Sequence, residues 1–155
     1  MEEAKAVSIR ISCIVHATED IDKVVQAILG ICPEDFPRKV QTEKTKGHYG
    51  NEIAICRLAA TGRSKAERFL DSLWRQMSNQ DRSRIYEEAL VRVDESGTLH
   101  LRLDKQGAMR GRVLLQDNEP LKIEILFETI DKSSESRVQM VRKRIESASL
   151  QSLDP

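Results

Sequence analysis

The chain has 155 residues, which is the size of one domain or of one domain with a short tail. Its 25 basic and 25 acidic residues cancel to a formal net charge of +0, which excludes a bulk polycation of the histone type but permits a basic face balanced by an acidic one. No apolar run reaches the roughly 18 residues of a membrane span, and no signal peptide opens the chain, so we expect a cytoplasmic protein. The three cysteines lack CxxC spacing. We therefore expect neither a disulfide framework nor a bound metal or cofactor.

The first predicted elements are a strand and the helix that follows it. Every second residue over 7–15 is apolar, which is the period of a strand with one buried face. Thr18 is predicted to cap the helix, because the residues after it include carboxylates that suit a helix N-terminus. Apolar residues then recur at steps of three and four over 21–28, and Gly30 predicts the end of the helix.

Residues 39–59 are predicted to form a hairpin. Its first strand, over 40–46, is polar and rich in lysine, so we expect it to be exposed. The turn 47–51 contains two glycines and an asparagine, which adopt positive φ at little cost. Free backbone N–H groups in this turn would suit an anion. The return strand carries Ile53 and Ile55 on one side.

Downstream, the sequence predicts two helices, three further strands and a tail. Leucines alternate with His100 and Arg102 in one of these strands, so its two faces differ in polarity. The predicted elements are helices over 64–78 and 80–90, a strand over 98–103, a connector over 105–111, a strand over 113–115, a turn over 117–120 and a strand over 121–127.

Helices that alternate with hairpin-forming strands predict an α+β fold. We expect a two-layer α/β sandwich in which a mixed or antiparallel sheet packs its helices on one face. The other face of the sheet would then be partly open to solvent. We assign residues 1–128 to a single domain and 129–155 to an appended C-terminal helix with a frayed end.

Charge is segregated along the chain although its sum is zero. Residues 38–68 hold eight basic and three acidic residues, and residues 102–112 hold four basic and one acidic. Residues 114–136 hold six acidic and two basic. Two basic stretches that meet on one face would bind phosphates, whereas the plain alternative is a solvated surface. Because only 4% of residues are aromatic, nucleic-acid binding would depend on backbone and shape contacts rather than on base stacking.

Catalytic and metal-binding patterns are weak. His16 and His48 would form a general acid–base pair for RNA cleavage if the fold brought them together, but a strand-end histidine and a turn histidine are the plainer interpretation. The acidic residues at 19–22 complement the positive end of the helix dipole, and this explains them without a metal site. Cys13 falls on the buried side of the first strand and is expected to be inert.

Four short segments, taken in order, resemble one known family. They are residues 16–20 (HATED), residues 47–51 (GHYGN), residues 92–106 followed by Gly111, and the acidic turn before the strand 121–127. Their order and spacing resemble the archaeal family of predicted RNA-binding proteins described as exosome-subunit-like. The resemblance covers residues 7–128.

The resemblance implies a fold similar to that of a ribosomal protein that binds the small RNA of the large subunit. It also implies RNA binding in RNA processing or degradation, with exosome components as partners, and it carries over no catalytic residue. One departure from the family pattern is Gly107 after Gln106. It argues against a helix in the connector, since glycine costs about 1 kcal/mol in a helix. Positions that match the family motifs and carry RNA-compatible side chains are Lys46, His48, Tyr49, Asn51, Arg102, Lys105 and Gln106.

Together these observations predict a non-catalytic RNA-binding protein that favours structured RNA over single strands. One alternative is a protein-interaction or homodimer-forming scaffold that uses the edge strand 40–46 and the tail helix. A second alternative is an RNA nuclease that uses His16 and His48. The predicted RNA-binding residues are Lys39, Lys44, Lys46, His48, Tyr49, Asn51, Arg57, Arg102, Lys105, Gln106, Arg110 and Arg112.

Overall fold

A five-stranded antiparallel sheet lies at the centre of the computed structural model, which describes residues 2–118 and 120–151. In chain order the elements are β1 (Lys5–His16), α1 (Ile21–Ile31), β2 (Gln41–Lys46), β3 (Glu52–Thr61), α2 (Arg63–Gln76), α3 (Asn79–Glu87), α4 (Ala89–Arg92), β4 (Thr98–Asp104), α5 (Lys105–Met109), β5 (Pro120–Glu128) and α6 (Ser134–Gln151). The strands lie side by side in the order β2-β3-β1-β5-β4. No helix within the described ranges has both the length and the hydropathy of a membrane span.

The helices pack on one face of the sheet, and the core lies between the two layers. Alternate residues of β1, over 9–15, are buried against the helices, whereas Arg10 and Ile14 between them are exposed on the other face. Phe69 and Trp74 of α2 are fully buried in this core. The predicted α+β sandwich with helices on one face is therefore confirmed. The second face of the sheet is left to solvent, and we call it the open face.

Helix α1 begins later than the sequence predicted. Its N-cap is Asp20, whose side chain accepts a hydrogen bond from the Asp22 N–H at 2.9 Å. Thr18 lies instead in a turn that is closed by a hydrogen bond from the Glu19 N–H to the His16 carbonyl at 2.9 Å. The prediction of Thr18 as the cap was wrong because the chain completes this turn before it enters the helix.

The connector after β4 is helical, contrary to the expectation from Gly107. A Cβ at this position would lie 3.1 Å from Asp104 Oδ2 and 3.3 Å from Leu114 Cδ1. Such close packing leaves little room for a side chain and favours glycine, so the tertiary contacts of α5 override the low helix propensity of that residue.

The stretch between α5 and β5 also differs from its prediction. Residues 113–115, predicted as a strand, contribute only a single bridge from Leu115 to Leu103. The Leu115 N–H also donates to Asp81 Oδ2 of α3 at 3.1 Å. The stretch is thus held between the edge of the sheet and a helix. Glu119, in the predicted turn before β5, lies outside the described residues.

The C-terminal helix α6 packs on the helical layer. It lies against α2, α3 and α4, and it buries Val141 and Ile145. Arg144 is 3% exposed and forms two ion pairs across this interface, to Glu67 Oε2 at 3.0 Å and to Asp71 Oδ1 at 2.8 Å. The predicted frayed end, beyond residue 151, lies outside the described residues.

We expect Arg144→Ala to lower the free energy of unfolding by about 3 kcal/mol, because it leaves two largely buried carboxylates without their shared cation. Urea denaturation followed by circular dichroism measures this change. Glu146→Ala, at an exposed position of the same helix, is the matched control and should stay within about 0.5 kcal/mol of the wild type. A loss in Arg144→Ala no larger than that of the control would contradict a stabilising role for these ion pairs.

Candidate nucleic-acid interface

The open face of the sheet carries a row of cations that runs across its strands. The pairing registers place Arg57 of β3 opposite Ser12 of β1. Ser12 in turn lies opposite Lys122 of β5, and Lys122 lies opposite Arg102 of β4. These residues alternate with the core residues of their strands, so their side chains share the open face. With strands about 4.8 Å apart, the three basic side chains lie within about 15 Å, and we call Arg57, Lys122 and Arg102 the cation row.

Lys122 and Arg102 stand directly opposite each other on adjacent strands, which is an unfavourable placement for two like charges. Both side chains are exposed, and neither forms an ion pair with any residue in the described ranges. Arg57, by contrast, pairs with Glu43 of β2 at 2.8 Å. A bound anion between Lys122 and Arg102 would relieve their mutual repulsion.

The β2–β3 hairpin forms one edge of the sheet, and every residue of β2 is exposed. Lys44 and Lys46 pair with residues on the helix-facing side of β3, so they project from the side of the hairpin opposite to Arg57. Lys39 is exposed in the loop before β2. These three predicted site residues therefore border the open face rather than lying on it.

The hairpin turn presents an aromatic pair. Tyr49 is 92% exposed, and the edge of one ring packs on the other, with 5.0 Å between the centroids of His48 and Tyr49. The Gly47 N–H donates to the Asn51 carbonyl at 2.7 Å, and the Gly50 N–H donates to the Gly47 carbonyl at 3.0 Å. The predicted anion site in this turn thus lacks two of the backbone donors that it would need.

The second basic stretch lies at the opposite edge of the sheet. Arg102, Gln106, Arg110 and Arg112 are all exposed on β4, on α5 and in the loop that follows α5. The two basic stretches are four strand spacings apart, which is about 20 Å. They do not adjoin each other directly. Lys122 of β5 continues the positive charge between them.

Lys105 does not lie on the surface, although the sequence placed it among the RNA contacts. Its side chain is 3% exposed, and Nζ donates to the Ile14 carbonyl at 2.9 Å and to Glu19 Oε1 at 2.8 Å. If the register between β1 and β5 were continued by two residues, Ile14 would lie opposite Pro120, which has no N–H to donate. The ammonium group supplies a donor at this position, so Lys105 stabilises the fold and is not one of the exposed phosphate contacts.

Comparison with known proteins identifies the family. A family model described as RNA binding matches residues 8–129. The chain belongs to this RNA-binding family. RNA-binding protein PAB1135 of Pyrococcus abyssi (strain GE5 / Orsay) is 34% identical over 146 residues, which is 92% of this chain and 95% of that protein.

Two solved structures share the fold of this RNA-binding family member. Protein AF2318 from Archaeglobus fulgidus is 31% identical and superimposes with a TM-score of 0.81 over 90% of this chain and 99% of that chain. Mth689 from Methanothermobacter thermautotrophicus is 26% identical, with a TM-score of 0.74 over 91% of this chain and 98% of that chain. The predicted resemblance to archaeal RNA-binding proteins is therefore confirmed. Its exosome-subunit-like part stays a prediction, which co-purification with exosome subunits would test.

The candidate catalytic side chains have different surroundings. His16 ends β1 opposite Ile53, whereas His48 lies in the hairpin turn against Tyr49. Within residues 2–118 and 120–151, no three His, Cys, Asp or Glu side chains gather closely enough to hold a metal ion.

Cys13 is buried, as predicted, and burial raises the pKa of its thiol to about 11. A reactive thiolate is therefore disfavoured at this position.

Sequence reasoning missed Lys122, which lies in a stretch counted as acidic. Only the strand register brings it beside Arg102. One signal was available, because Lys122 stands between the apolar residues Leu121 and Ile123 and must face away from the core. The alternation shows that Lys122 faces away from the core, but it does not show which residues lie beside it.

Glu19 links β1, α1 and Lys105. Its Oε1 accepts hydrogen bonds from the His16 N–H at 3.0 Å and from Lys105 Nζ at 2.8 Å. Burial alone would raise the pKa of this carboxyl, but the hydrogen bonds from His16 and Lys105 and the charge of Lys105 outweigh it and hold the pKa below its ordinary value of 4.5. A carboxyl whose pKa falls on folding stabilises the protein above its unfolded-state pKa, and this contribution is lost as the pH falls through the folded-state pKa.

We expect Glu19→Gln to destabilise the protein most above pH 4.5, the ordinary pKa of the carboxyl, and progressively less below it. Urea denaturation of wild type and variant between pH 7 and pH 3 measures the difference. Glu34→Gln, at an exposed loop position, is the control for the substitution itself. A difference between wild type and Glu19→Gln that does not shrink as the pH falls would contradict the role given to the Glu19 charge.

Proposed function

We propose that the protein binds RNA through the open face of its sheet and does not cleave it. The cation row carries this proposal, because Lys122 and Arg102 stand side by side and neither forms an ion pair with a described residue, an arrangement that a polyanion relieves. Membership of an RNA-binding family and the name of the Pyrococcus abyssi relative support RNA as that polyanion. Contacts from Lys and Arg to phosphates give affinity without selecting a base sequence.

The chemistry of the open face favours structured RNA over single strands. Proteins that bind single strands stack the bases on exposed aromatic side chains. The aromatic residues of this chain lie elsewhere, since four are buried in the core, Tyr49 is in the hairpin turn and Tyr86 is on α3. A duplex instead presents phosphates and 2′-hydroxyls in a regular array, and proteins recognise it mainly by shape. The cation row is suited to following such a backbone.

The exposed residues at the two edges of the sheet extend this surface. The turn with His48 and Tyr49 closes the β2–β3 hairpin at one edge of the sheet, at least six residues along the chain from Arg57, and the loop with Arg110 and Arg112 follows α5 near the other edge. Including these edges, the surface is about 20 Å wide. We propose that the row makes the central phosphate contacts and that the edges add contacts to the same RNA.

Lys122→Glu combined with Arg102→Glu is expected to weaken binding of an RNA hairpin. It should also reduce the slope of log Kd against log salt concentration by about 2, because each lost phosphate contact removes about 1. Fluorescence anisotropy titrations at several salt concentrations measure both quantities. The matched control is Lys65→Glu combined with Arg75→Glu, which makes the same charge change on exposed positions of α2, in the helical layer.

The two double variants separate a local interface from a general charge effect. Unchanged affinity and slope in the open-face variant, or an equal loss in the α2 variant, would contradict the proposed surface. The same mixtures on a denaturing gel should contain intact RNA. Cleavage products that disappear in His16→Ala or His48→Ala would contradict the non-catalytic part of the proposal and favour the nuclease alternative.

Lys122→Gln is expected to raise the free energy of unfolding by about 0.2–1 kcal/mol while it weakens RNA binding. The gain follows from removing one of two like charges that stand opposite each other, and the loss follows from removing a phosphate contact. Urea denaturation and RNA titration of the same variant measure the two effects, with Lys65→Gln as the control. A less stable Lys122→Gln protein would contradict the view that the pair is unfavourable in the free protein.

A further inference from the structure

A cavity opens on the open face beside the cation row. Its volume is about 370 Å³, which is within the range of small-molecule sites in proteins. It forms where β1 runs past the start of β5, because the β1–β5 register ends with the pair Ser12 and Lys122 within the described residues. Residues 13–16 of β1 therefore have no partner strand on the β5 side within the described residues, although β3 still pairs with them on the other side.

The lining of the cavity combines apolar surface with cations at the rim. Ile14, Ile55 and Pro120 supply the apolar part, and Ile14 is 46% exposed. Arg57 and Lys122 also line the cavity and come from the strands on either side of β1. These two cations are about 10 Å apart by strand spacing. An apolar recess between two cations suits a flat ring whose two neighbouring groups are anionic.

A buried donor completes this lining. Lys105 lines the cavity at 3% exposure, and an ammonium group has three N–H donors. One donor is used by the Ile14 carbonyl and one by Glu19 Oε1, and the third has no acceptor among the residues that the structure describes. A ligand with an oxygen or ring-nitrogen acceptor would satisfy this third donor, since an unpaired buried donor is costly.

We propose that this cavity takes one unpaired nucleotide of the bound RNA. The base packs on Ile14, Ile55 and Pro120, and its edge accepts the third N–H of Lys105. The phosphates on either side of the nucleotide meet Arg57 and Lys122. This inference rests on the proposed function, and it specifies the ligand as structured RNA with a bulged or looped-out base.

An unpaired base is the form of RNA that fits the site. A paired base is held in its stack, and extruding it costs a few kcal/mol, whereas a bulged base has already paid most of this cost. Sequence-specific recognition of RNA commonly targets such unstacked bases. The cavity therefore allows a protein whose other contacts are to the backbone to distinguish a bulged duplex from a continuous one.

The test compares a duplex that carries a single bulged 2-aminopurine with the same duplex lacking the bulge. We expect the bulged RNA to bind about tenfold more tightly, which corresponds to about 1.4 kcal/mol. The fluorescence of 2-aminopurine, which stacking on neighbouring bases quenches, should rise on binding because the described cavity is lined by no Phe, Tyr or Trp ring and its apolar surface is aliphatic. Ile14→Ser should remove both the preference and the fluorescence change but keep the affinity for the continuous duplex.

Leu126→Ser is the matched control, since Leu126 is a partly buried apolar residue of the open face that does not line the cavity. It should keep the preference for the bulged RNA. Equal binding of both duplexes by the wild type, without a fluorescence change, would overturn the nucleotide site and leave the proposed function standing. A preference that survives in Ile14→Ser would also overturn it. Failure to bind either duplex would overturn the proposed function itself.

Discussion

The helices cover only one face of the five-stranded sheet, and the rest of the molecule depends on this one-sided packing. Each central strand must alternate a core residue with a residue that tolerates water. The alternation in β1 and β5 therefore fixes which side chains can face a ligand. In this way the same period of two that builds the core also assembles the cation row from three separate strands of the chain.

The placement of Lys122 beside Arg102 is costly for the free protein and useful for a protein that binds a polyanion. Opposite charges elsewhere on the open face are paired, as Arg57 is with Glu43 at 2.8 Å. The contrast indicates that Lys122 and Arg102 are not there to stabilise the sheet. Proteins commonly retain such local costs at functional sites. Under the proposed function, bound RNA would offset this cost, since RNA is a polyanion.

Much of the fold could be predicted from local sequence because its determinants are local. The alternation of apolar and polar residues predicted β1, and apolar residues at steps of three and four predicted α1. The predictions that were wrong concern positions where contacts between residues distant in the sequence determine the structure. Thr18 and Asp20 are both competent caps, and only the turn after β1 selects Asp20. A helix forms across Gly107 because packing against Leu114 overrides propensity. Lys105 appears as a surface cation in the sequence, yet Ile14 and Glu19 bury its ammonium group.

The central claim is that RNA binds on the open face, and an NMR titration of the isotope-labelled protein with an RNA hairpin tests it most directly. We expect the largest changes in backbone amide shifts at Ser12, Lys122 and Arg102 and at their neighbours on the open face. Changes concentrated on α2 and α6, with the open-face amides unmoved, would contradict it.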